Sequence, residues 1–577
     1  MFDVLIRNGM VVDGSGAKPF MGDVGVEGDR ITLVGKANGA QAQTEIDATG
    51  RVVCPGFVDS HSHADLTVHR PDHDKMLAPL VRQGITTFVG GNCGMSMAPL
   101  GVANKDAVRQ YIEVFTGFDL AHDCSWNTMG EFLDTLDGRG VLLNTAVLAP
   151  HGLLRLDVMG MARRYATDEE LDGMARALDQ TLEEGAIGLS TGLQYYPGSQ
   201  SDTREMRCMG KVLKKHDAMF TCHLRSYSAT LPQAIDEVLD ISRENGIRGQ
   251  VSHLFWIPDY GPAGPVVRSV IRQLSKVPER WMPPIPLDGP LAQRIDQVAK
   301  GNAAGCRVRI DAMPTTTGFT HLLAFFPPWA LEGSSAEVIA RMRDPEARKR
   351  MKHSIKHGNM KWPHVEGDSW SMNFFKVMGW ECSTVMAVVS EKNKRYEGMN
   401  LMEIAREQGK HPLDAACDLL LEEDGHVLVF ETMGEPDSAL AERSMFAPMR
   451  HPDVCISTDT ILMGMGRPSY LFHGCYPKFL GRYVRDKKLL SMETAVRKAT
   501  GLPAEHFGLK DRGRIAEGAF ADIVVFDAAT IASGATFQEP DKPPIGIDHV
   551  FINGQMVVDH GTINASPRAG KVLRGNN

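Results

Sequence analysis

The chain has no excess of positive charge, no long apolar run and no paired cysteine spacing. Its formal net charge is −9, with 62 Lys and Arg against 71 Asp and Glu. It therefore gives no basis for a nucleic-acid partner, which normally requires a basic patch. No apolar stretch approaches the ~20 residues that a membrane helix needs. Met1-Phe2-Asp3-Val4-Leu5-Ile6 enters directly on a strand-like alternation, without the charged region and apolar core of a secretory leader. Ten cysteines are scattered and none forms a CxxC, which fits a reducing, cytoplasmic setting where cysteines are mostly small buried hydrophobes.

What is present is a globular α/β composition, with 43% hydrophobic residues and 57 glycines among 577 residues. That length exceeds what one compact core supports, so a large domain with a smaller companion is expected. Near the start stands Ile6-Arg7-Asn8-Gly9-Met10-Val11-Val12-Asp13, and near the end Ile552-Asn553-Gly554-Gln555-Met556-Val557-Val558-Asp559. Both read as alternating strands broken at an Asn-Gly turn, a strong hairpin signal. Neither end has enough strands to bury a core of its own. Together they predict one small β-sandwich domain built from both chain termini, residues 1–54 and 512–577. The short basic end with Arg568, Lys571 and Arg574 reads as a frayed tail.

Between the ends, strand-like runs recur at 57–65, 86–93, 144–152, 188–195, 219–226, 248–255, 307–316 and 454–460. Helical stretches separate them; one opens at Asp168-Glu169-Glu170-Leu171 and runs to Glu184 before Gly185 stops it. Eight strands alternating with helices predict a (β/α)8, TIM-like barrel over 55–511. Runs at 387–390 and 426–431 also have strand character, so the count alone does not prove closure. Residues 317–380 are irregular and rich in Pro, Trp, Phe and Met. They predict an insertion above the barrel mouth, acting as a lid.

At the ends of these strands stand His61 and His63, Cys93, His223, His253 and Asp459. Two histidines two apart on a strand face the same side, and the C-terminal strand ends of such a barrel converge where active sites are built. Thiolate with imidazole nitrogen suits Zn²⁺, and a carboxylate suits a site that keeps a water position open. Each residue alone is more simply a packed or backbone-bonded side chain. Their coincidence at strand ends answers no packing requirement.

These residues lie in runs that resemble the amidohydrolase superfamily and, within it, the N-acyl-D-amino-acid deacylase (D-aminoacylase) family. The matching runs are Pro55 to His63, Gly90-Gly91-Asn92-Cys93-Gly94, Gly188 to Tyr195, His223-Leu224-Arg225, Val251-Ser252-His253, Leu480 to Arg485, and Gly513 to Phe526. The resemblance implies a zinc-dependent hydrolase of a linear N-acyl (amide) bond, with N-acyl-D-amino acids as the default substrate. It implies His61, His63, Cys93, His223 and His253 as metal ligands, Cys93 in the bridging role, and Asp459 as the catalytic base and acid. One zinc is expected to be tight and a second weak or absent.

Two departures bear on substrate. Thr315, in Asp311-Ala312-Met313-Pro314-Thr315-Thr316, stands where the family carries a tyrosine. Leu471 falls near the place of the arginine that grips the amino-acid carboxylate, and Arg467 lies four residues earlier. Arginine is preferred for two-point recognition of carboxylate, so either Arg467 compensates or the substrate is different. The alternative is a neutral or bulky aromatic amide, a cyclic amide or a lactone. Phe325, Phe326, Trp329 and Met372 could line such a pocket, although lid packing is the simpler role. Tyr195 and Arg225 are further candidates for substrate contact, with packing or salt bridging as the plain alternative. A non-catalytic scaffold on this fold would be expected to lose ligands, whereas all six positions are filled. The expected partner is a small-molecule amide, with no nucleic acid and no membrane, and homo-oligomerisation is left open.

Overall fold

The computed structural model describes residues 1–116, 124–282, 285–360, 369–564 and 568–575. Among these, two all-parallel sheets have four and six strands. One orders Val572–Leu573, Asn144–Val147, Ile85–Gly90 and Phe57–Asp59. The other orders Val454–Ile456, Arg307–Ala312, Arg248–Val251, Met219–His223, Gly188–Gly192 and Ala149–Pro150. These strands are almost wholly buried, as expected of parallel strands covered by helices.

Backbone hydrogen bonds join the two sheets at both edges. Leu148 N–H donates to Gly90 O (3.0 Å) and Ile187 N–H to Val147 O (2.9 Å). On the other side Asp459 N–H donates to His61 O (2.9 Å) and His63 N–H to Thr460 O (2.8 Å), beside a parallel bridge between Ser62 and Thr460. The helix expected from Asp168 spans Asp168–Glu183. Thr167 and Glu170 close a reciprocal capping box at its start, satisfying two backbone donors that would otherwise lack partners.

Both termini build one nine-stranded sheet, in which Phe2–Val11 pairs with Phe20–Glu27 and Val52–Pro55 pairs with Ile523–Phe526. Val4, Ile6, Val24, Val53, Ile523 and Phe551 share its core. The two Asn-Gly pairs behave differently. Asn553-Gly554, both at positive φ, closes the hairpin between Ile547–Ile552 and Gln555–Asp559. Asn8-Gly9 is instead a bulge inside one continuous strand, with Asn8 at φ 59° and its N–H held by Asp23 Oδ1 at 2.9 Å.

The basic end is not frayed. Val572–Leu573 pairs with Asn144–Val147, and Arg574 donates to Asp134 and Asp137 at 2.6 and 2.9 Å. Arg568 donates to Arg139 O and Pro71 O, and Lys571 pairs with Asp29.

The segment expected to form a lid, 317–380, of which 361–368 lie outside the described residues, shares a sheet with residues beyond it. Gly318–His321, Val427–Glu431 and Ser383–Val388 form a three-stranded antiparallel sheet. The strand-like runs at 387–390 and 426–431 therefore belong to this sheet and not among the parallel strands. A second hydrophobic core accompanies it and takes in Phe325, Phe326, Trp329 and Met372. Phe325 stacks on Phe374 at 4.1 Å, and Trp329 donates to Ser354 Oγ at 3.2 Å. These side chains pack the insertion.

Candidate metal centre

His223 is the last residue of its strand, and His61, Cys93, His253 and Asp459 each follow theirs by two or three residues. The strand expected to carry the paired histidines ends at Asp59, so His61 and His63 converge through loop backbone. Their bonds to Asp459 and Thr460 hold them there. Gly192 allows the next approach, since a methyl group there would stand 2.1 Å from Cys93 O.

All six side chains are buried. Cys93 Sγ lies 3.3 Å from His61 Nε2, 3.5 Å from His223 Nδ1 and 3.6 Å from His253 Nε2. The last two nitrogens face each other at 3.0 Å. Asp459 Oδ1 stands 3.4 Å from His61 Nε2 and 3.3 Å from His63 Nε2. The result is two overlapping triads, His61–Cys93–His253 and His61–His63–Asp459, with ligand atoms within 4.8 Å of one another.

Three of the six residues hold left-handed backbone: Cys93 (φ 54°), His253 (33°) and Asp459 (54°). Such positions cost on the order of 1–3 kcal/mol each and cluster where function over-determines geometry. Burial opposes ionisation of the Cys93 thiol, but His61 and His223 outweigh it and hold the thiol well below its ordinary range. Burial likewise disfavours protonated His63, yet hydrogen bonding to Asp459 and Cys93 raises it to about 10. Burial depresses His223 to about 4. A thiolate facing neutral imidazole nitrogen is the form in which these groups bind a metal, and binding displaces protons from the rest.

Sequence reasoning missed the groups behind these side chains. Asp311 is fully buried; its Oδ1 accepts from His253 N–H (2.7 Å) and Ser457 Oγ (2.9 Å), and its Oδ2 from Gln250 Nε2 (2.5 Å). The same Oδ2 stands 3.7 Å from His61 Nδ1. Gln194 Oε1 lies 3.2 Å from His223 Nε2. Both residues sit in runs already quoted above, at strand ends like the ligand candidates, and that position was the available signal.

Tyr195 packs its ring on His223 with centroids 4.5 Å apart, and its hydroxyl accepts from Thr320 Oγ1 at 3.3 Å. Thr315 lies apart from the six, accepting from the Tyr470 hydroxyl at 2.6 Å. Arg467 is also not brought to them: it donates to Phe537 O at 2.8 Å. Leu471 is buried in the main core. Arg225 is a buried ion-pair partner of Glu237, at 3.1 Å.

A buried sulfur, imidazole and carboxylate cluster at strand ends is the donor set of a metal-dependent hydrolase. The amidohydrolase family profile matches residues 44–209 and 397–558. A D-aminoacylase of Alcaligenes xylosoxydans xylosoxydans is 31% identical over 99% of this chain and 97% of its own. Two solved structures are similar over nearly their whole length. N-acyl-D-glutamate deacylase from Bordetella bronchiseptica, complexed with zinc and a phosphonate mimic of the tetrahedral intermediate, shows 27% identity and a TM-score of 0.75, covering 99% of each chain. A D-aminoacylase described by its binuclear metal centre, with one-metal activation and second-metal attenuation, shows 28% identity and 0.74, covering 100% of each. The chain belongs to the amidohydrolase family.

Proposed function

We propose that the protein is a zinc-dependent amidohydrolase that cleaves a linear N-acyl bond, with N-acyl-D-amino acids as its default substrate class. The observation that carries this reading is the convergence of Cys93, His61, His63, His223, His253 and Asp459 within one buried cluster. Cys93, His223 and His253 would hold the tight zinc; His61 and His63, with Cys93 shared, would hold a weaker second ion. The donor set fits: the Cys93 sulfur, the Nε2 atoms of His61, His63 and His253, the Nδ1 of His223 and a carboxylate oxygen of Asp459 converge there. Zinc bound there supplies a Lewis acid and a water acidic enough to ionise near neutral pH.

The chain's own residues do the proton work. Asp459, between the two first histidines, accepts the proton from the attacking water and later delivers it to the leaving nitrogen. An amide nitrogen leaves poorly without that proton. Tyr195, packed against His223, is placed to meet the substrate. The edge bonds between the parallel sheets support a closed (β/α)8 barrel. The terminal strands at 1–54 and 512–577 support a small β-sandwich beside it, and the insertion supports a lid. We further infer a cytoplasmic enzyme; no described helix is long and apolar enough to cross a membrane.

The placement of Arg467 favours a second reading of the substrate. With that guanidinium on Phe537 O and Leu471 in the core, neither position brings an arginine to the cluster. An amide without an α-carboxylate then fits better. Hydrolysis by zinc-supplemented enzyme of N-acetyl-D-amino acids against matched neutral amides separates the two. Preference for the D-acids upholds the default class, and activity confined to neutral amides replaces it.

A further inference from the structure

Beside the metal cluster, the antiparallel sheet of the insertion holds a carboxyl with no ion-pair partner among the described residues. Glu431 is directly opposite Gly318 on one neighbouring strand and Ser383 on the other. Residues opposed across strands share a face, so these three form one row. The next row on that face is Thr320, Val429 and Val385. Thr320 donates to the Tyr195 hydroxyl, and the Tyr195 ring packs at a tilt against His223. The row thus lies one residue pair beyond the side chain that covers the cluster. Gly318 also follows Thr315 by three residues, on the segment that leaves Arg307–Ala312 at its site end.

Glu431 Oε1 is sealed from solvent and has no hydrogen-bond partner among the described residues, and the same holds for the fully buried Ser383 Oγ. Folded chains rarely leave buried polar atoms unmatched, since each forfeits its hydration. Gly318 leaves room over the carboxyl: a methyl there would stand 3.7 Å from Glu431 Oε2. Burial pushes the Glu431 carboxyl well above its ordinary range, and no counter-charge stands beside it among the described residues.

We propose that Glu431 and Ser383 form a subsite for a positively charged substrate arm, an ammonium or guanidinium, on the amide cleaved at the metal cluster. The arm supplies the charge that lets Glu431 ionise, with its proton released to solvent, and the Ser383 hydroxyl accepts a second N–H. This rests on the amide-hydrolase reading and reverses the charge expected of an amino-acid carboxylate. It accounts together for the acid at this position and for a cluster to which Arg467, held by Phe537 O, and Leu471 bring no guanidinium.

The test compares kcat/KM for N-acetyl-1,4-diaminobutane, the isosteric neutral N-pentylacetamide and N-acetyl-5-aminopentanoate in zinc-loaded enzyme. Calorimetry of pentylamine alone reads the subsite without catalysis. Wild type is expected to prefer the cationic arm, and Glu431→Gln to reduce the cationic-to-neutral ratio by about 30-fold or more. Gly318→Ala, which keeps the carboxyl but fills the space above it, should reduce the same ratio if Glu431→Gln does not fold. An unchanged ratio in these variants, or a preference for the carboxylate arm in wild type, overturns the proposal. Failure to hydrolyse any of the amides would count against the amide-hydrolase reading, while pentylamine binding lost in Glu431→Gln would still uphold the subsite; absence of that binding in wild type would remove it.

Discussion

Replacing Asp311 with Asn removes a charge from behind the metal cluster while preserving its shape. Asp311 Oδ2 stands 3.7 Å from His61 Nδ1. At that distance two unit charges at an effective dielectric near 20 interact by about 4–5 kcal/mol. A neutral imidazole N–H carries a fraction of a charge, which leaves about 1–3 kcal/mol favouring the tautomer that points N–H at Asp311 and the Nε2 lone pair at Cys93 and Asp459. Asparagine removes that preference. Partners of this kind typically change metal affinity about 10- to 100-fold, in agreement with the electrostatic figure. The fold should suffer less. The Asn oxygen can keep the bonds from His253 N–H and Ser457, and Gln250 Oε1, without a partner among the described residues, can turn to accept from the new amide. A stability loss of about 1–3 kcal/mol is therefore expected. Zinc affinity is read by chelator competition beside thermal unfolding of the zinc-free protein. Affinity within about twofold of wild type would refute the assignment of Asp311 as the group that orients His61.

Asp459→Asn should retain zinc but lose turnover, read as metal content against kcat; retained activity would remove Asp459 from the proton path. Lys498 is fully buried and donates to Pro448 O, Met449 O and His451 O at 2.6–2.9 Å. Lys498→Met strands three carbonyls and should destabilise by about 3 kcal/mol or more, while activity per folded molecule stays near wild type. Gly554→Ala would place a methyl 2.0 Å from Gly28 O at a residue with φ 80°. A loss of at least about 1–3 kcal/mol in denaturant unfolding is expected there.

The ligand candidates were legible because chemistry restricts residue type and each follows an apolar strand. Asp311 was not, because an aspartate in a strand run looks the same whether it faces solvent or braces a histidine. The two Asn-Gly pairs show a second limit. Local sequence favours a positive-φ turn at both, but Asp23, fifteen residues away, captures the Asn8 N–H and turns one into a bulge. The strands Ser383–Val388 and Val427–Glu431 carry the same apolar character as parallel strands, and only their antiparallel partners assign them to the insertion. The C-terminal cations looked solvated because their acceptors, from Asp29 to Asp137, lie hundreds of residues earlier.

The most direct test of the central claim is zinc titration of the metal-stripped enzyme, following hydrolysis of N-acyl substrates as zinc is added. The account expects no turnover without metal and activity that rises to its plateau at about one zinc per chain. It also expects Cys93→Ser to need far more zinc for any activity. Full turnover in the stripped protein, or zinc-restored activity that ignores Cys93, would contradict it.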